Sequence, residues 1–260
     1  MNRFASLLLV LGLIPAMLPT SARAESGSQM YEVRSYVLGE NGDAAAVDKY
    51  LETALLPALA RQDIGPVGVF KNAPSDETGS QRFVVVIPID SPDALVTMNE
   101  KVSADADYQK AANEFLSREP KSPAYARVQS ELLVAMDCMK KLVVPEGATA
   151  NADRVFELRV YESANERLGN LKVEMFNEGE VPIFLDCGII PIFIGQAVIG
   201  PQTPNLTYLT LYPNEEERLE SWVKFREHAD WKVLSVVPKY QGTVSRIDKF
   251  VLVPTNYSQI

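Results

Sequence analysis

The sequence predicts an α+β fold in which two β-α-β-β-α-β units pack as an α+β barrel within one chain. The hexapeptide Tyr31–Tyr36, with the sequence Tyr-Glu-Val-Arg-Ser-Tyr, returns 125 residues later at Phe156–Tyr161 as Phe-Glu-Leu-Arg-Val-Tyr. At the same offset, four residues have identical counterparts: Pro57 and Pro182, Ile64 and Ile189, Pro66 and Pro191, and Pro88 and Pro213. The hydrophobic periodicity also gives both halves one element order. Together these observations indicate an internal duplication.

Length and composition fit a globular protein of two ordinary domains. The chain has 260 residues, of which 47% are hydrophobic and 23% charged. Its formal net charge is −9, and the sequence contains no run of Lys and Arg. A nucleic-acid or anionic-membrane partner needs such clustered positive charge, so neither partner is expected.

Residues 1–24 are typical of a secretory signal peptide. Arg3 precedes an apolar stretch at 5–18, and Ala22-Arg23-Ala24 has the small residues of a cleavage site. An uncleaved membrane anchor is the alternative, but the stretch is short for a span of about 20 residues. We therefore expect export to the periplasm or the medium after cleavage near Ala24, with no membrane span in the mature chain. In such a compartment Cys138 and Cys187 either bridge the halves or remain buried free thiols, and the thiols are favoured.

The first predicted unit covers residues 30–140. Alternating apolar residues predict strands at 30–38, 64–71, 82–89 and 124–136. A stripe of apolar residues predicts a helix at 44–62, which Pro57 should kink or divide into two segments. Ser91 caps a second helix that runs to about Ser117, with a break near Ser103.

The second predicted unit covers residues 152–255 and follows a linker at 145–151. Its predicted strands are 154–162, 189–199, 206–212 and 241–253, and its helices are 165–186 and a segment from the cap Asn214 to about Val236. The order β-α-β-β-α-β is that of a ferredoxin-like fold, whose sheet has helices on one face only. If the other face is apolar it cannot stay exposed to water, so with two copies in one chain the units are expected to pack sheet against sheet.

These features resemble the NIPSNAP family of the dimeric α+β barrel superfamily. The resemblance rests on the opening motif aromatic-Glu-aliphatic-Arg-x-Tyr, a helix ending at a Pro, an Ile-x-Pro sequence before the second strand, and the segment Arg226–Trp231, whose weaker counterpart is Asp105–Tyr108. It covers residues 30–136 and 154–255. The resemblance implies the fold but no defined reaction, since better-understood family members are adaptor or vesicle-linked proteins. Superfamily neighbours include small monooxygenases, haem-degrading enzymes and haem peroxidases.

The opening strands contain the candidate ligand-binding residues. Side chains alternate along a strand, so Tyr31, Val33 and Ser35 face one way and Glu32, Arg34 and Tyr36 the other. We expect the first set to face the helices and the second to line the barrel interior. The predicted pocket consists of Glu32, Arg34, Tyr36, Glu157, Arg159 and Tyr161, joined by Arg127 and Arg246 from the last strands. Its Arg side chains would bind a carboxylate, unless Glu and Arg simply pair to fix the strand register.

No metal or cofactor is predicted. The sequence has one histidine, His228, on a solvated helix face, and its two cysteines do not occupy matching repeat positions. These residues cannot form a zinc or copper ligand set, and a Ser-His-Asp triad is improbable.

Two functions therefore remain open. The protein is a ligand-binding barrel, with or without cofactor-free oxygenase or isomerase activity on a small organic molecule, or a non-catalytic interaction module. A cavity of about 300 Å³ or more with convergent polar groups would favour the first, and a filled apolar interior the second. Association into a homo-oligomer also stays open.

Overall fold

Eight antiparallel strands form one closed barrel with helices on its outer surface. The computed structural model describes residues 27–260, so the predicted signal peptide lies outside the described residues. The strands are β1 (Met30–Val37), β2 (Gly68–Asn72), β3 (Arg82–Ile89), β4 (Arg127–Ala135), β5 (Val155–Glu162), β6 (Ile190–Ile199), β7 (Asn205–Tyr212) and β8 (Arg246–Pro254). The helices are α1 (Ala44–Tyr50), α2 (Leu56–Ala60), α3 (Pro92–Ala104), α4 (Ala106–Leu116), α5 (Glu166–Met175), α6 (Val181–Asp186), α7 (Glu215–Glu227) and α8 (Ala229–Leu234).

Each half of the chain contributes four neighbouring strands to the barrel. The order around the barrel is β1-β3-β2-β8-β5-β7-β6-β4. The halves meet where β2 pairs with β8 and where β4 pairs with β6. Closure leaves no unpaired sheet edge. The predicted α+β class is confirmed, and the two sheets join edge to edge as well as facing each other.

The barrel interior is a single apolar core to which both halves contribute. Its buried side chains include Tyr31, Val33, Phe70, Val84, Val86, Phe156, Leu158, Phe193, Leu209 and Leu252. Aromatic contacts cross between the halves: the ring centroids of Phe70 and Phe156 lie 4.7 Å apart, and those of Tyr31 and Phe193 lie 5.0 Å apart. Separating the halves would therefore expose this core to water.

The predicted orientation of the opening strands was wrong. Tyr31 and Val33 point into the barrel, whereas Tyr36 packs with Tyr50 of α1 on the helix side. The sheet encloses the interior completely, so the apolar side chains gain most by facing inward. The helices cover the outer face only in part, and Arg34 on that face reaches Asn99 of α3.

Both helices that contain a central proline are divided there, as predicted for Pro57. A π-helical turn, Leu51–Leu55, separates α1 from α2, and Phe176–Glu180 separates α5 from α6. Pro57 and Pro182 then lie in the first turn of the following segment. A proline lacks the N–H of the helical ladder and clashes with the carbonyl four residues earlier, so a new helical start suits it.

The two longer helical regions are also interrupted. The predicted break near Ser103 is confirmed: α3 ends at Ala104, and the Asp105 side chain caps α4 by accepting from the amides of Asp107 and Tyr108. The last region was predicted as one helix but breaks at His228. The imidazole of His228 accepts from the Asp230 amide and starts α8, so the histidine is a helix cap.

Some strands begin later than predicted. β2 begins at Gly68 because Pro66 cannot donate to a strand ladder and Asp63 has a left-handed φ of 57°. β8 begins at Arg246, after a 3₁₀ turn at Pro238–Tyr240 and a left-handed Gly242.

The two ends of the barrel differ. At one end the carboxyl-terminal Ile260 is fully buried, and its carbonyl accepts from Arg154 Nη2 at 3.1 Å. At the other end the interior becomes polar, with Ser35, Arg82, Gln129, Glu131 and Thr207 around a small cavity. We call this end the barrel mouth.

Cys138 and Cys187 are free thiols, Cys187 fully and Cys138 partly buried. Between residues 27 and 260, no helix combines the length and apolar character required to cross a bilayer.

Candidate ligand-binding site

A cleft of about 1050 Å³ lies on the outside of the barrel where the two halves meet. One wall is the loop between β2 and β3, residues 73–81, from the first half. The opposite wall is α7, and the floor is the first part of β8, both from the second half. The cleft therefore forms only when β2 and β8 pair.

The cleft carries an excess of positive charge in an otherwise acidic chain. Six basic side chains line it: Arg82, Arg159, Arg218, Arg226, Arg246 and Lys249. Four acidic side chains accompany them: Asp76, Glu77, Glu215 and Asp248. Because the whole chain has a formal charge of −9, this local reversal favours an anionic ligand.

The same cleft contains exposed apolar side chains. Leu219 is 54% exposed, Val223 45% and Ile247 48%, and all three line it. The buried rings of Trp222 and Phe250 lie beneath them. Exposed apolar groups gathered at one concave place indicate a surface that loses water on binding. The cleft thus suits a ligand with an anionic and an apolar part.

Glu157 organises the wall between β5 and α7. Its carboxylate is fully buried and accepts from Arg159 Nε at 2.5 Å, from Trp222 Nε1 at 3.1 Å and from Arg218 Nη1. The guanidinium of Arg159 also stacks on the Trp222 ring, 3.5 Å from the ring centre. The three hydrogen-bond donors offset the cost of burying the carboxylate charge, so these side chains are held in fixed positions.

Arg218 is held by two carboxylates. Besides Glu157, it contacts Glu215 through two hydrogen bonds of 2.8 Å. The hydrogen bonds that Arg218 donates to Glu215 raise the pKa of Arg218 despite the opposing effect of burial, and the charge of Glu157 adds to the increase. The same contact lowers the pKa of Glu215. Arg218 therefore keeps its charge at any physiological pH.

The equivalent motif of the first half forms a simpler pair. Arg34 Nε and Nη2 bind the carboxylate of Glu32 at 2.9 and 2.8 Å, and Ser130 Oγ donates to it at 2.6 Å. The pairing of Glu with Arg, which was the alternative to a pocket, is what both motifs show.

The helix beside each pair explains why the two motifs differ. α3 and α7 begin after the caps Ser91 and Asn214. Counted from these caps, Leu95 stands where α7 has Arg218, and Asn99 stands where it has Trp222. Only the second half can therefore supply a guanidinium and an indole to its buried glutamate.

The eight predicted ligand-binding residues do not converge on one pocket. β1 and β5 lie on opposite sides of the eight-stranded barrel, and both Glu-Arg-Tyr sets point outward. Arg159 and Arg246 line the cleft, with Glu157 beneath it. Tyr161 accepts from Arg159 Nη1 at 3.1 Å on the helix side. The remaining four, Glu32, Arg34, Tyr36 and Arg127, lie on or beside β1. The single interior pocket was therefore a wrong prediction, while ligand binding at these residues stays a prediction.

Sequence reasoning missed several cleft residues. Arg218, Trp222 and Arg226 follow one another at intervals of four along α7, which places them on one helix face. That spacing was the available signal, but Trp222 alone resembles an ordinary core residue. No local sequence pattern predicts that Arg82 and Lys249 line the cleft.

Glu131 lies within the barrel mouth and is only 8% exposed. Asn205 Nδ2 donates to its Oε1 at 2.6 Å, and Thr207 Oγ lies 3.2 Å from its Oε2 and 3.1 Å from Asn205 Oδ1. Thr207 has one hydroxyl proton, so if it donates to Asn205, the contact with Glu131 needs a proton on Glu131. Burial raises the pKa of Glu131, against the opposing effect of the hydrogen bonds with Asn205 and Thr207.

The cavity at the barrel mouth measures about 40 Å³, far less than a substrate chamber needs. Among residues 27–260, no group of three or more His, Cys, Asp and Glu side chains is placed to hold a metal ion.

The NIPSNAP family model matches residues 156–259, the half that carries Glu157, Arg159, α7 and β8. This segment of the chain is therefore similar to the NIPSNAP family. No curated protein sequence matches the chain.

Solved structures share the fold of this protein at low sequence identity. A putative monooxygenase from Fusobacterium nucleatum subsp. nucleatum has a TM-score of 0.56 and 8% identity, with 88% of this chain and 93% of that chain covered. A putative monooxygenase from Lactobacillus acidophilus has a TM-score of 0.55 and 11% identity, with 87% and 94% covered. An anthrone oxidase-like protein has a TM-score of 0.51 and 9% identity, with 90% and 95% covered. At these identities the similarity shows a common α+β fold.

Proposed function

We propose that this NIPSNAP-like protein is an exported barrel that binds a small organic anion in the cleft beside α7. The observation that carries the proposal is the coincidence, in one concave surface, of six basic side chains with exposed Leu219, Val223 and Ile247. Guanidinium groups bind carboxylates through paired hydrogen bonds, and exposed apolar groups favour an aliphatic or aromatic body. Carboxylates that carry such a body are therefore the proposed ligand class.

The cleft has the rigidity that selective binding requires. The Glu157 cluster fixes Arg159 and Arg218 before a ligand arrives, so little conformational entropy is lost on binding. Two of the solved structures with this fold are described as putative monooxygenases and a third as anthrone oxidase-like. We extend their chemistry to this chain only as a hypothesis: a cofactor-free oxygenation or isomerisation of the bound anion.

The binding proposal is tested with acetate, benzoate and octanoate, by calorimetric titration and by the shift in melting temperature at about 150 mM salt. We expect benzoate and octanoate to raise the melting temperature more than acetate does, because acetate lacks an apolar body. The double variant Arg226→Glu and Lys249→Glu reverses two exposed cleft charges and should weaken benzoate binding at least about tenfold.

The matched control is Lys101→Glu with Lys110→Glu, which makes the same charge change on exposed positions of α3 and α4. It should bind benzoate as the unmodified protein does. An equal loss in both double variants would mean that long-range charge, and not the cleft, attracts the anion. If no carboxylate stabilises the unmodified protein, the proposal fails.

One observation favours a second candidate function, a non-catalytic interaction module. The barrel interior is filled with apolar side chains, which is the outcome expected for such a module. In that case the cleft would take an acidic, apolar segment of another protein. Benzoate would then compete poorly or not at all with an acidic peptide for the cleft.

We also propose that residues 1–24 are removed during export and that the two halves are tandem copies of one unit. The signal-like composition of the first 24 residues and the 125-residue repeat support these points. The mass of the protein recovered from the periplasm of an expressing bacterium should correspond to a chain that begins at Glu25. A mass that includes Met1 would contradict cleavage.

A further inference from the structure

We infer that the carboxylate of the ligand binds at Arg82, where the cleft meets the barrel mouth, while the apolar body extends along the cleft beside α7. The inference rests on the proposed function and adds the position of the head group and the orientation of the ligand.

Among the cleft guanidiniums that are at least partly buried, Arg82 is the one whose hydrogen-bonding capacity is least used, whereas Arg226 is exposed and reaches solvent. Its Nε is buried and has no partner, and Nη2 meets only Ser80 Oγ at 3.2 Å. No carboxylate among the described residues lies within ion-pair distance of it. In contrast, Glu157 neutralises Arg159, and Glu157 with Glu215 neutralises Arg218. A carboxylate would therefore gain more at Arg82 than at either paired guanidinium.

The orientation of Arg82 is fixed by an aromatic ring. Its guanidinium carbon lies 3.9 Å from the ring centre of Phe250, so one face of the guanidinium is covered. Burial lowers the pKa of Arg82, against the opposing effects of Asp76 and Asp248, as expected for a cation that has lost water without gaining a close partner. An incoming anion would restore that lost stabilisation.

Arg82 and Phe250 line both the cleft and the cavity at the barrel mouth. The cavity of about 40 Å³ is slightly larger than the roughly 30 Å³ that one water molecule takes in the liquid, so it has room for a small head group such as a carboxylate and not for a ligand body. A ligand with its head at Arg82 can therefore extend over Phe250 into the wider cleft. This geometry excludes ligands whose carboxylate lies in the middle of a bulky body.

The other groups at the mouth are compatible with an anion. Ser35 and Gln129 line the same cavity and supply hydrogen-bond donors. Glu131 is the carboxyl group of this lining, and the ring of hydrogen bonds with Asn205 and Thr207 accommodates it in the neutral form. Burial raises the pKa of Glu131, which favours the protonated form beside a bound carboxylate.

The experiment compares Arg82→Gln with Arg167→Gln, which removes the same charge from an exposed position of α5 outside the cleft. Benzoate binding is measured by calorimetric titration. We expect Arg82→Gln to weaken binding at least about tenfold and Arg167→Gln to change it less than about twofold. Arg82→Lys should restore only part of the affinity, because an ammonium group cannot form two parallel hydrogen bonds.

The nitrogen-15 spectrum of the arginine side chains tests the inference without a substitution. The signal of the buried Nε–H of Arg82 should shift when benzoate is added to the unmodified protein. This measurement does not depend on whether Arg82→Gln folds. An unmoved Arg82 signal at saturating benzoate would overturn the inference.

The two proposals fail in different ways. If Arg82→Gln binds benzoate normally while Arg226→Glu with Lys249→Glu abolishes binding, the head group does not lie at Arg82 but the cleft remains the site. If the unmodified protein binds no carboxylate, both proposals fall.

Discussion

At the scale of single residues, Glu131 couples the barrel mouth to pH. The hydrogen-bond ring with Thr207 and Asn205 is complete when Glu131 carries a proton. Ionised Glu131 would remain in a site that is 8% exposed and has no positive partner among the described residues. Burial therefore raises the pKa of Glu131 and favours its protonated form in the folded protein.

We expect Glu131→Gln to change how the stability of the protein depends on pH. A raised pKa means that the folded state binds a proton that the unfolded state, with a Glu pKa of about 4.3, has already released. The contribution of Glu131 to the free energy of unfolding is then fully present below the pKa of the unfolded state. It falls by up to about 1.4 kcal/mol per pH unit as the pH rises towards the pKa of the folded state. Gln cannot ionise, so at about pH 8 the variant should be more stable than the unmodified protein, with the difference closing near pH 4.

Urea unfolding between those pH values measures this effect. Glu119→Gln, at an exposed position, is the control and should follow the unmodified protein. A Glu131→Gln variant that is less stable at every pH would show that the site requires the ionised form.

The two cysteines should react slowly in the folded protein. Burial raises the pKa of Cys138 to about 11 and also raises that of Cys187, so little thiolate is present at neutral pH. We expect a disulfide reagent such as dithionitrobenzoate to modify both thiols rapidly in denaturant and only slowly in native buffer. Rapid native labelling would contradict the buried environment, and fewer than two thiols in denaturant would indicate a bridge.

At the scale of elements, α7 is attached to β5 through Trp222 and Arg218. We expect Trp222→Phe to lower the free energy of unfolding by about 1–2 kcal/mol more than Trp231→Phe, because only Trp222 donates to the buried Glu157. Both variants replace an indole with a phenyl ring, so the difference reports the hydrogen bond and the stacking with Arg159. Chemical denaturation measures the free energy of unfolding of both variants. Equal losses would show that Trp222 does not stabilise the protein through Glu157.

The elements were largely predictable because their signals are local. Ser91 and Asn214 cap helices through their own side chains, and Pro57 divides a helix because its ring and missing N–H forbid continuation. The alternation of side chains along β1 was also predicted correctly, but which of its two faces points into the barrel was not. Both faces of a barrel strand are covered, so the polarity of the side chains does not show which face points into the barrel. Tyr31 lies inside the barrel, whereas Glu32, paired with Arg34, lies outside.

The candidate site was less predictable because it depends on long-range pairing. Arg82, Arg159 and Lys249 come from the three strands β3, β5 and β8. They meet because β3 pairs with β2, β2 with β8 and β8 with β5. No local pattern specifies those pairings. The unpartnered Nε of Arg82 likewise arises only in the assembled barrel. The residues next to Arg82 in the sequence do not predict it.

At the scale of the whole molecule, the closed barrel makes each half dependent on the other. We expect a chain of residues 152–260 alone to dimerise or aggregate, because it would expose the edges of β6 and β8 and the apolar side chains of Phe156 and Leu252. The full chain should unfold in one cooperative transition. Light scattering after size exclusion and calorimetry measure these properties. A monomeric, stably folded half would show that the shared core contributes little.

The loop at 73–81 comes from one half of the chain and α7 from the other, yet both line the same cleft. In an assembly of two identical subunits, every such surface would exist twice, and any substitution would alter both copies. In a single chain the two halves need not be identical, so the counterpart positions Leu95 and Asn99 can differ from Arg218 and Trp222. The proposed ligand should therefore bind with a stoichiometry of one per chain at this cleft and give a hyperbolic saturation curve.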